Sequence, residues 1–339
     1  MDKETVRKLR ERLSRPGRIV LVPHSNPDGD AIGSCLGLHH YLTKAGHQSN
    51  VISPNDFPSF LKWMPGAGSI TIFERDAAAG RELLRAADLI ITLDFNSLDR
   101  CGAMGPELKE TGVALAMIDH HQSPEAYAEI RYSDPAMSST CEMVYHTIAA
   151  LGGNEVLDEE IATCLYAGIL TDTGSFKYSA TSPTTMRIAA ELMERGADHT
   201  AIHRNIYDTN SPERLKLLGQ ALGNLTILRP YRTAYITLSQ QELDACQFQK
   251  GDTEGFVNYG LSLEGVVLSA IFIENKEEGI IKISLRSQGT FSVNDMARAH
   301  FSGGGHVNAA GGRSTDSLQA TAARFEALLP QYERELLLA

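Results

Sequence analysis

The 339-residue sequence lacks a membrane-length hydrophobic run and paired cysteines. No apolar stretch approaches the roughly 20 residues that a membrane helix needs. The first eighteen residues are rich in Lys, Arg and Glu, which argues against a secretory signal. The five cysteines are scattered, odd in number and without a C-x-x-C pair, so we expect a reducing, cytoplasmic compartment in which the thiols fill the core.

Basic charge is also scarce, because 42 acidic residues against 31 basic ones leave a formal net charge of −11. This balance argues against a broad basic surface for long nucleic acid, and neither long nucleic acid nor a membrane is an expected partner. A small anionic substrate is compatible with it if metal ions and a few Arg or Lys side chains reverse the field locally. The length allows two domains, and 42% hydrophobic content is typical of a globular chain.

One turn near the N-terminus carries the most informative residues. The short, β-branched run 19–22 predicts a buried strand, and residues 24–34 (HSNPDGDAIGS) follow it as a tight polar turn that opens a helix. The turn therefore places His24, Asp28 and Asp30 at the carboxyl end of a strand, where open parallel sheets bind ligands. Taken alone, these residues are equally compatible with a capped turn in which Asp30 is the helix N-cap.

Three further apolar elements of the predicted fold end in acids or histidines. They are strands over residues 88–94 and 112–118 and a helix over residues 158–170, and the polar residues at their ends are Asp94, Asp119, His120, His121 and Asp172. Alternating strands and helices predict an α/β fold with a doubly wound, mainly parallel sheet, in which the strand ends line up along one edge. One cluster can therefore be assembled from distant parts of the sequence.

Two imidazoles and four carboxylates are the donor set for two divalent cations that share a carboxylate. The residues concerned are His24, Asp28, Asp30, Asp94, His120 and Asp172. Carboxylates this close repel each other unless positive charge lies between them, and an excess of carboxylate over imidazole favours manganese. Each acid alone could cap a helix or be solvated in a loop. The whole set at successive element ends predicts a dinuclear metal centre, which is a recognised site for phosphate-ester hydrolysis.

From residue 225 onward the pattern changes to strands, predicted over 225–229, 231–238, 265–274 and 279–286. The glycines of the 303–306 run (GGGH) predict a turn whose backbone N–H groups approach a phosphate, with His306 as a further donor. A Gly-rich turn alone is usually only a tight connection. The small-residue run 309–312 suits close helix packing, and a last helix is predicted over 317–337.

These motifs resemble the DHH phosphoesterase superfamily, and within it the nanoRNase (oligoribonuclease) and pAp phosphatase group that carries a DHHA1 domain. The resemblance rests on residues 24–30, Asp94, residues 119–121 (DHH), residues 168–174 (GILTDTG), 303–306 and 309–312. It implies a DHH metal-binding catalytic domain over 1–190, a helical linker over 191–222, and a smaller α/β DHHA1 substrate domain with a mixed sheet over 223–339. Enzymes of this group act on very short oligonucleotides and on 3′-phosphoadenosine 5′-phosphate (pAp).

The resemblance also implies a role for each metal-site residue. One ion is expected on His24, Asp28 and Asp94. The second is expected on Asp30, Asp94, His120 and Asp172, with Asp94 shared by both. Manganese is the usual ion of the family, with magnesium or cobalt as alternatives.

Two residues next to these ligands are expected to be catalytic. Asp119 would support the imidazoles by hydrogen bonding, and His121 would orient the scissile phosphate or protonate the leaving oxygen, a purely supporting hydrogen bond being the alternative. In the C-terminal domain, substrate binding is expected from Arg286, Ser287, Gly304, Gly305 and His306, with the planar guanidinium clamping a terminal phosphate.

Two other functions fit the same N-terminal site. An inorganic pyrophosphatase or exopolyphosphatase is one, although the Ser-Arg-Lys run of the related pyrophosphatases is missing here. A non-catalytic nucleotide-binding protein is the other, although it would be expected to lack ligands and none is missing. The preferred substrate among short RNA, pAp and linear dinucleotides, the polarity of cleavage and the oligomeric state, with a homodimer among the options, stay open.

Overall fold

The computed structural model describes residues 1–339, which divide into two compact units, Met1–Thr209 and Asn210–Ala339. The helices are α1 (Lys3–Arg12), α2 (Gly29–Lys44), α3 (Ala77–Ala86), α4 (Met104–Glu110), α5 (Thr140–Leu151), α6 (Glu159–Asp172), α7 (Pro183–Glu194), α8 (His199–Tyr207), α9 (Pro212–Gly223), α10 (Gln240–Ala245), α11 (Asn258–Leu261), α12 (Val293–His300) and α13 (Leu318–Leu338). The strands are β1 (Arg18–Pro23), β2 (Gln48–Ser53), β3 (Thr71–Ile72), β4 (Leu89–Leu93), β5 (Leu115–Asp119), β6 (Ile130–Ser133), β7 (Thr226–Leu228), β8 (Thr233–Leu238), β9 (Leu268–Asn275), β10 (Ile280–Ser287), β11 (Gly304–Gly305) and β12 (Ala309–Ser314).

The N-terminal unit is built on a six-stranded sheet in the order β3-β2-β1-β4-β5-β6, with every pair parallel. This is the strand order of a doubly wound sheet, so the predicted fold class is confirmed. The strands β1 and β4 are buried along almost their whole length, which explains their continuous apolar sequence. The strand order reverses between these two parallel strands, and ligands of such sheets bind beyond the carboxyl ends of the strands at this point.

The helices α2 and α6 pack against each other at very short range because glycines line their contact. A Cβ on Gly33 would lie 2.6 Å from the carbonyl oxygen of Cys164, and a Cβ on Gly168 would lie 3.1 Å from Cα of Asp30. A side chain at either position would force the helices apart. The close approach brings the N-terminus of α2, with Asp30, beside the C-terminus of α6, where Asp172 is the last residue.

The N-terminus of α5 is held by a network of buried polar groups. Ser139 caps the helix, its Oγ accepting a hydrogen bond from the N–H of Glu142 at 3.0 Å. The buried carboxylate of Glu142 accepts hydrogen bonds from the hydroxyls of Ser138 and Thr185, the latter at 2.9 Å. Because Thr185 lies in the first turn of α7, the start of α5 is tied to a second helix.

The C-terminal unit contains a mixed six-stranded sheet in the order β11-β12-β10-β9-β8-β7. Only β8 and β9 pair in parallel. The rings of Tyr235, Phe272 and Phe325 meet edge to face on one side of the sheet, where α13 packs. The predicted α/β class with a mixed sheet is therefore confirmed for this unit as well.

One expectation about the glycine-rich segment is wrong, because residues 304–305 form the edge strand β11 instead of a turn. The small residues after them form strand β12, and its Gly312 packs closely against the end of α12, since a Cβ there would lie 2.8 Å from Cβ of Phe301. The glycines are required by close backbone contacts, because a Cβ on Gly303 would lie 1.9 Å from the carbonyl oxygen of Gly311. The short elements β6, α10 and α11 were not expected either.

None of the thirteen helices combines the length and the apolar character that crossing a membrane requires.

Candidate metal centre

The fold brings the predicted site residues of the N-terminal unit to the carboxyl ends of β1, β4 and β5, where the strand order of the sheet reverses. His24 directly follows β1, and Asp94 directly follows β4. Asp119 is the last residue of the neighbouring strand β5, so His120 and His121 continue along the same edge. Except for Asp28 and Asp172, all the predicted metal-site and catalytic residues of this unit are buried.

The turn after β1 holds its two carboxylates in different environments. Asp28 is the N-cap of α2, its Oδ1 accepting hydrogen bonds from the N–H groups of Asp30 and Ala31, both at 3.1 Å. The capping residue is thus Asp28, whereas the sequence had offered Asp30 for that position. Asp28 is exposed, while Asp30 lies in the first turn of the helix and is 1% exposed.

Asp94 lies between two groups of side chains that are spaced for metal binding. Its Oδ2 is 3.4 Å from Nε2 of His24, and donor atoms of Asp28 complete this group within 4.8 Å. Its Oδ1 is 3.5 Å from Nε2 of His120. His120 belongs to the second group, in which its Nε2 is 3.4 Å from Asp172 and 3.8 Å from Asp30. One carboxylate therefore faces both groups, one oxygen to each.

The orientation of both imidazoles is that of metal ligands. Nδ1 of His24 is 2.8 Å from the carbonyl oxygen of Ser25, and Nδ1 of His120 is 3.1 Å from that of Met137. Because a carbonyl only accepts, each Nδ1 carries the proton and donates it. In the neutral ring the Nε2 lone pair then points at carboxylate oxygens. Because both the lone pair and the oxygens are electron-rich, this arrangement requires a proton or a cation between the nitrogen and the oxygens. The donor set fits divalent metal ions.

The pKa values of the carboxyl groups in the cluster are shifted because its charged groups are buried close together. Burial raises the pKa of Asp94, but the hydrogen bonds from His120 and His24 outweigh it and hold that pKa well below its ordinary value. Burial and the charges of Asp94 and Asp172 raise the pKa of Asp30 well above its ordinary value. The cluster therefore accommodates four carboxylates only by protonation or by cation binding.

Asp119 and His121 form a buried pair beside Asp94. Nδ1 of His121 is 2.7 Å from Oδ1 of Asp119, and Oδ2 of Asp119 is buried without a hydrogen-bond partner. Burial and the charge of Asp94 raise the pKa of Asp119 to about 6. Burial and the positive charge of Arg100 lower the pKa of His121 well below its ordinary value, so its imidazole is neutral at neutral pH.

Sequence reasoning missed the contribution of α5 to this cluster. The backbone N–H groups of Thr140 and Cys141 donate to the two oxygens of Asp30 at 2.6 and 2.8 Å. The Thr140 hydroxyl donates to Oδ1 of Asp94 at 3.0 Å. The only sequence signal was the Ser-Ser-Thr run before an apolar helix, which by itself indicates a helix cap.

In the C-terminal unit, Arg286 and Ser287 lie at the end of β10. Arg286 is half-buried, and its Nη1 donates to the carbonyl oxygen of Leu285 at 3.0 Å. Ser287 is buried, its hydroxyl donating to the carbonyl oxygen of Phe291 at 2.7 Å and accepting from Nδ2 of Asn308 at 2.9 Å. The single hydroxyl proton of Ser287 is thus used within the protein.

The backbone cradle expected from the glycine run is largely occupied by internal hydrogen bonds. The N–H of Gly303 donates to the carbonyl oxygen of Ala297 at 3.3 Å, and that of Gly305 donates to Oδ1 of Asn294 at 2.9 Å. The N–H of His306 donates to the carbonyl oxygen of Ala309 at 2.7 Å. These three N–H groups are therefore not available for the predicted phosphate cradle, because α12, Asn294 and the turn into β12 already satisfy them.

Comparisons with known proteins agree with this architecture. Residues 18–169 match the DHH family, N-terminal domain, and residues 244–335 match the DHHA1 domain. The chain is 32% identical over 295 residues to the bifunctional oligoribonuclease and PAP phosphatase NrnA of Thermus thermophilus, covering 87% of this chain and 83% of the relative. The NrnA of Bacillus subtilis is 27% identical over 323 residues, covering 93% of this chain and 96% of the relative.

A solved structure extends the similarity to the whole chain. It is the crystal structure of an exopolyphosphatase-related protein from Bacteroides fragilis, with a TM-score of 0.94 and 40% identity, and the match covers 99% of this chain and 98% of that one. The fold and the cluster at its switch point define a two-domain α/β phosphoesterase of the kind that uses divalent metal ions. The chain belongs to the DHH family, with a DHHA1 domain following its DHH domain.

Proposed function

We propose that this protein is a manganese-dependent phosphoesterase that hydrolyses short oligoribonucleotides and pAp, releasing mononucleotides or phosphate. The observation that carries the proposal is Asp94, whose two oxygens face two separate groups of metal-ligating side chains. The names of the relatives from T. thermophilus and B. subtilis support the substrate class. The five buried, unpaired cysteines support a cytoplasmic location.

In this proposal His24, Asp28 and Asp94 hold one ion. Asp30, His120 and Asp172 hold the other, together with Asp94. When bound, two such ions neutralise the phosphoryl oxygens and lower the pKa of water at the site. The excess of carboxylate over imidazole ligands supports manganese, with magnesium and cobalt as the competing ions.

The remaining buried residues of the cluster would position the substrate and hold protons. The Asp119 carboxylate fixes the ring of His121 through the 2.7 Å contact to Nδ1. His121 would thereby orient the scissile phosphate or the leaving oxygen by hydrogen bonding. Arg100 adds a positive charge near His121, which favours an anionic substrate at this position.

In the C-terminal unit, Arg286 would bind the terminal phosphate of the substrate, with His306 and the β11 residues Gly304 and Gly305 lining the same region of the sheet. The guanidinium of Arg286 suits bidentate phosphate binding. The hydrogen bonds of Ser287 to Phe291 and from Asn308 support a role in holding the end of β10 in place, so that Ser287 contributes to the clamp through Arg286.

Replacing Arg286 by alanine is expected to raise the KM for a diribonucleotide by roughly tenfold or more, with a smaller change in kcat. A charge-assisted phosphate contact contributes about 1.5–3 kcal/mol, and the reaction itself takes place elsewhere. Steady-state kinetics with Mn²⁺ measure both constants. Arg313→Ala is the matched control, because Arg313 is an exposed arginine on β12 of the same sheet. An unchanged KM in Arg286→Ala would remove Arg286 from the substrate site.

The test of the function is a comparison of substrates for the purified chain with Mn²⁺. The substrates are a diribonucleotide, pAp, a long single-stranded RNA, pyrophosphate and polyphosphate, and the Asp94→Asn variant purified in the same way controls for contaminating nucleases. We expect hydrolysis of the diribonucleotide and pAp and little of the long RNA. Removal of metal with EDTA should stop turnover, and Mn²⁺ should restore it better than Mg²⁺ or Co²⁺.

Polyphosphate is included because the structurally similar B. fragilis protein is described as exopolyphosphatase-related. Turnover of polyphosphate or pyrophosphate without turnover of either nucleotide would replace the proposal by the inorganic-phosphate alternative. Tight Mn²⁺ binding without hydrolysis of any substrate would favour a nucleotide-binding protein.

A further inference from the structure

Thr140 contacts two carboxylates of the metal centre at once. It is fully buried and is the first residue of α5. Its backbone N–H donates to Oδ2 of Asp30 at 2.6 Å, and its hydroxyl donates to Oδ1 of Asp94 at 3.0 Å. We propose that Thr140 is a positioning residue that orients Asp94 so that two metal ions can share it, an inference that rests on the proposed metal site.

The orientation of the Asp94 carboxylate needs an external constraint. The torsion that rotates a carboxylate about its last bond is soft, so the side chain alone does not determine where its two oxygens point. Here Oδ2 must face His24 and Oδ1 must face His120 if both metal groups are to form. A hydroxyl that donates to Oδ1 restricts this rotation.

The Thr140 hydroxyl is suited to this role because it does not compete with a metal ion. A carboxylate oxygen has two lone pairs, so Oδ1 can accept the hydroxyl proton and still bind a cation. The ring of His120, in contrast, donates to Asp94 only while its Nε2 carries a proton, and it would lose this bond on binding an ion. The contact from Thr140 is neutral and is therefore available in both states.

Thr140 is itself held rigidly by the start of α5. The cap from Ser139 and the buried bonds of Glu142 to Ser138 and Thr185 fix the first turn of the helix. The next backbone N–H, that of Cys141, donates to the other oxygen of Asp30 at 2.8 Å. The helix terminus thus sets the position of Asp30 through its backbone and that of Asp94 through the threonine hydroxyl.

The test is the affinity for Mn²⁺, measured by electron paramagnetic resonance of the free ion in titrations of the full chain. Thr140→Val keeps the shape and the backbone N–H but removes the hydroxyl, and it should weaken Mn²⁺ binding by about 10–100-fold, as loss of a supporting hydrogen bond to a metal ligand does. Thr140→Ser restores a hydroxyl and should bind within about threefold of the wild type, since the donor is back in place.

Thr147→Val is the matched control. Thr147 is a buried threonine of the same helix, and its hydroxyl bonds to the carbonyl oxygen of Met143 at 2.8 Å, away from the cluster. Its Mn²⁺ affinity should equal that of the wild type. Near-ultraviolet circular dichroism in EDTA compares the packing of all variants.

The outcomes separate this inference from the proposed function. Wild-type affinity in Thr140→Val, or equal weakening in Thr147→Val, would overturn the role of Thr140 while leaving the metal site in place. Failure of Thr140→Ser to regain affinity would do the same. Weakened Mn²⁺ binding in Thr140→Val alone supports Thr140 even if no nucleotide is hydrolysed. Absence of Mn²⁺ binding to the wild type would overturn both.

Discussion

Asp94→Asn should lower kcat for a diribonucleotide by about 10³-fold or more, because it removes the one carboxylate that faces both metal groups. Metal ions at such sites supply several kcal/mol of transition-state stabilisation, and each 1.4 kcal/mol corresponds to a factor of ten. An asparagine offers one neutral oxygen in place of two charged ones. The substitution should therefore also remove most of the rise in melting temperature that Mn²⁺ produces in the wild type.

Asparagine is a better probe than alanine at this position because of the backbone conformation of Asp94. Asp94 has a φ of 67°, in the left-handed region that asparagine and aspartate tolerate better than other side chains. The variant is thus expected to keep its fold, which circular dichroism in EDTA verifies.

Asp88→Asn is the control for the loss of a carboxylate in this strand region. Asp88 is an exposed residue just before the amino end of β4, opposite to the end that precedes Asp94, and its Oδ2 accepts from the N–H of Arg18 at 2.8 Å. Its kcat should stay within about threefold of the wild type, as for other surface substitutions. Two equivalents of bound Mn²⁺ and full activity in Asp94→Asn would show that Asp94 is not a shared ligand.

The second large effect is expected for His121→Asn, with a loss of about 10²–10⁴-fold in kcat. The asparagine amide can keep the hydrogen bond to Asp119 that Nδ1 of the ring makes, but it removes the far edge of the imidazole. Because His121 belongs to neither proposed ligand set, Mn²⁺ affinity should change little. Steady-state kinetics and Mn²⁺ titration of the same preparation separate the two effects.

His47→Asn is the control for this substitution. His47 is also a buried histidine of the N-terminal unit, and its Nδ1 accepts from the N–H of Gly17 at 3.2 Å, before the start of β1. It should retain activity close to that of the wild type. If His121→Asn loses Mn²⁺ affinity and activity in parallel, His121 supports the metal site and does not act on the phosphate; unchanged activity would exclude both roles.

Much of the site could be predicted from the sequence because residues that directly follow the strands of a parallel sheet lie together at one edge of that sheet. His24, Asp94 and His120 each follow an apolar strand, and such strands all end at one edge. The sequence alone therefore predicts that the motif residues form one cluster. Their burial also follows from this, since both faces of a doubly wound sheet are covered by helices.

The glycine-rich C-terminal segment shows why other parts could not be predicted. A run such as Gly303 to Gly305 is locally compatible with a turn, a helix contact or a strand, because glycine has no side chain to exclude any of them. The strand conformation of this run is determined by its pairing with β12 and by the close contact of Gly303 with the backbone of Gly311. The sequence of the run itself does not specify which strand it pairs with, so this conformation could not be predicted from it.

By itself, then, the amino-acid sequence determined the fold class and the set of candidate ligands, because these depend on periodicity and on residue types at element ends. The family was indicated by the resemblance of its motifs. The tertiary structure alone decided which oxygen of Asp94 faces which histidine, that Asp28 and not Asp30 caps α2, and that Thr140 reaches Asp94. The contacts of Asp94 join different elements of the chain, as the separation of 46 residues between Thr140 and Asp94 shows. They depend on helix packing distances of a few ångströms, which no local pattern encodes.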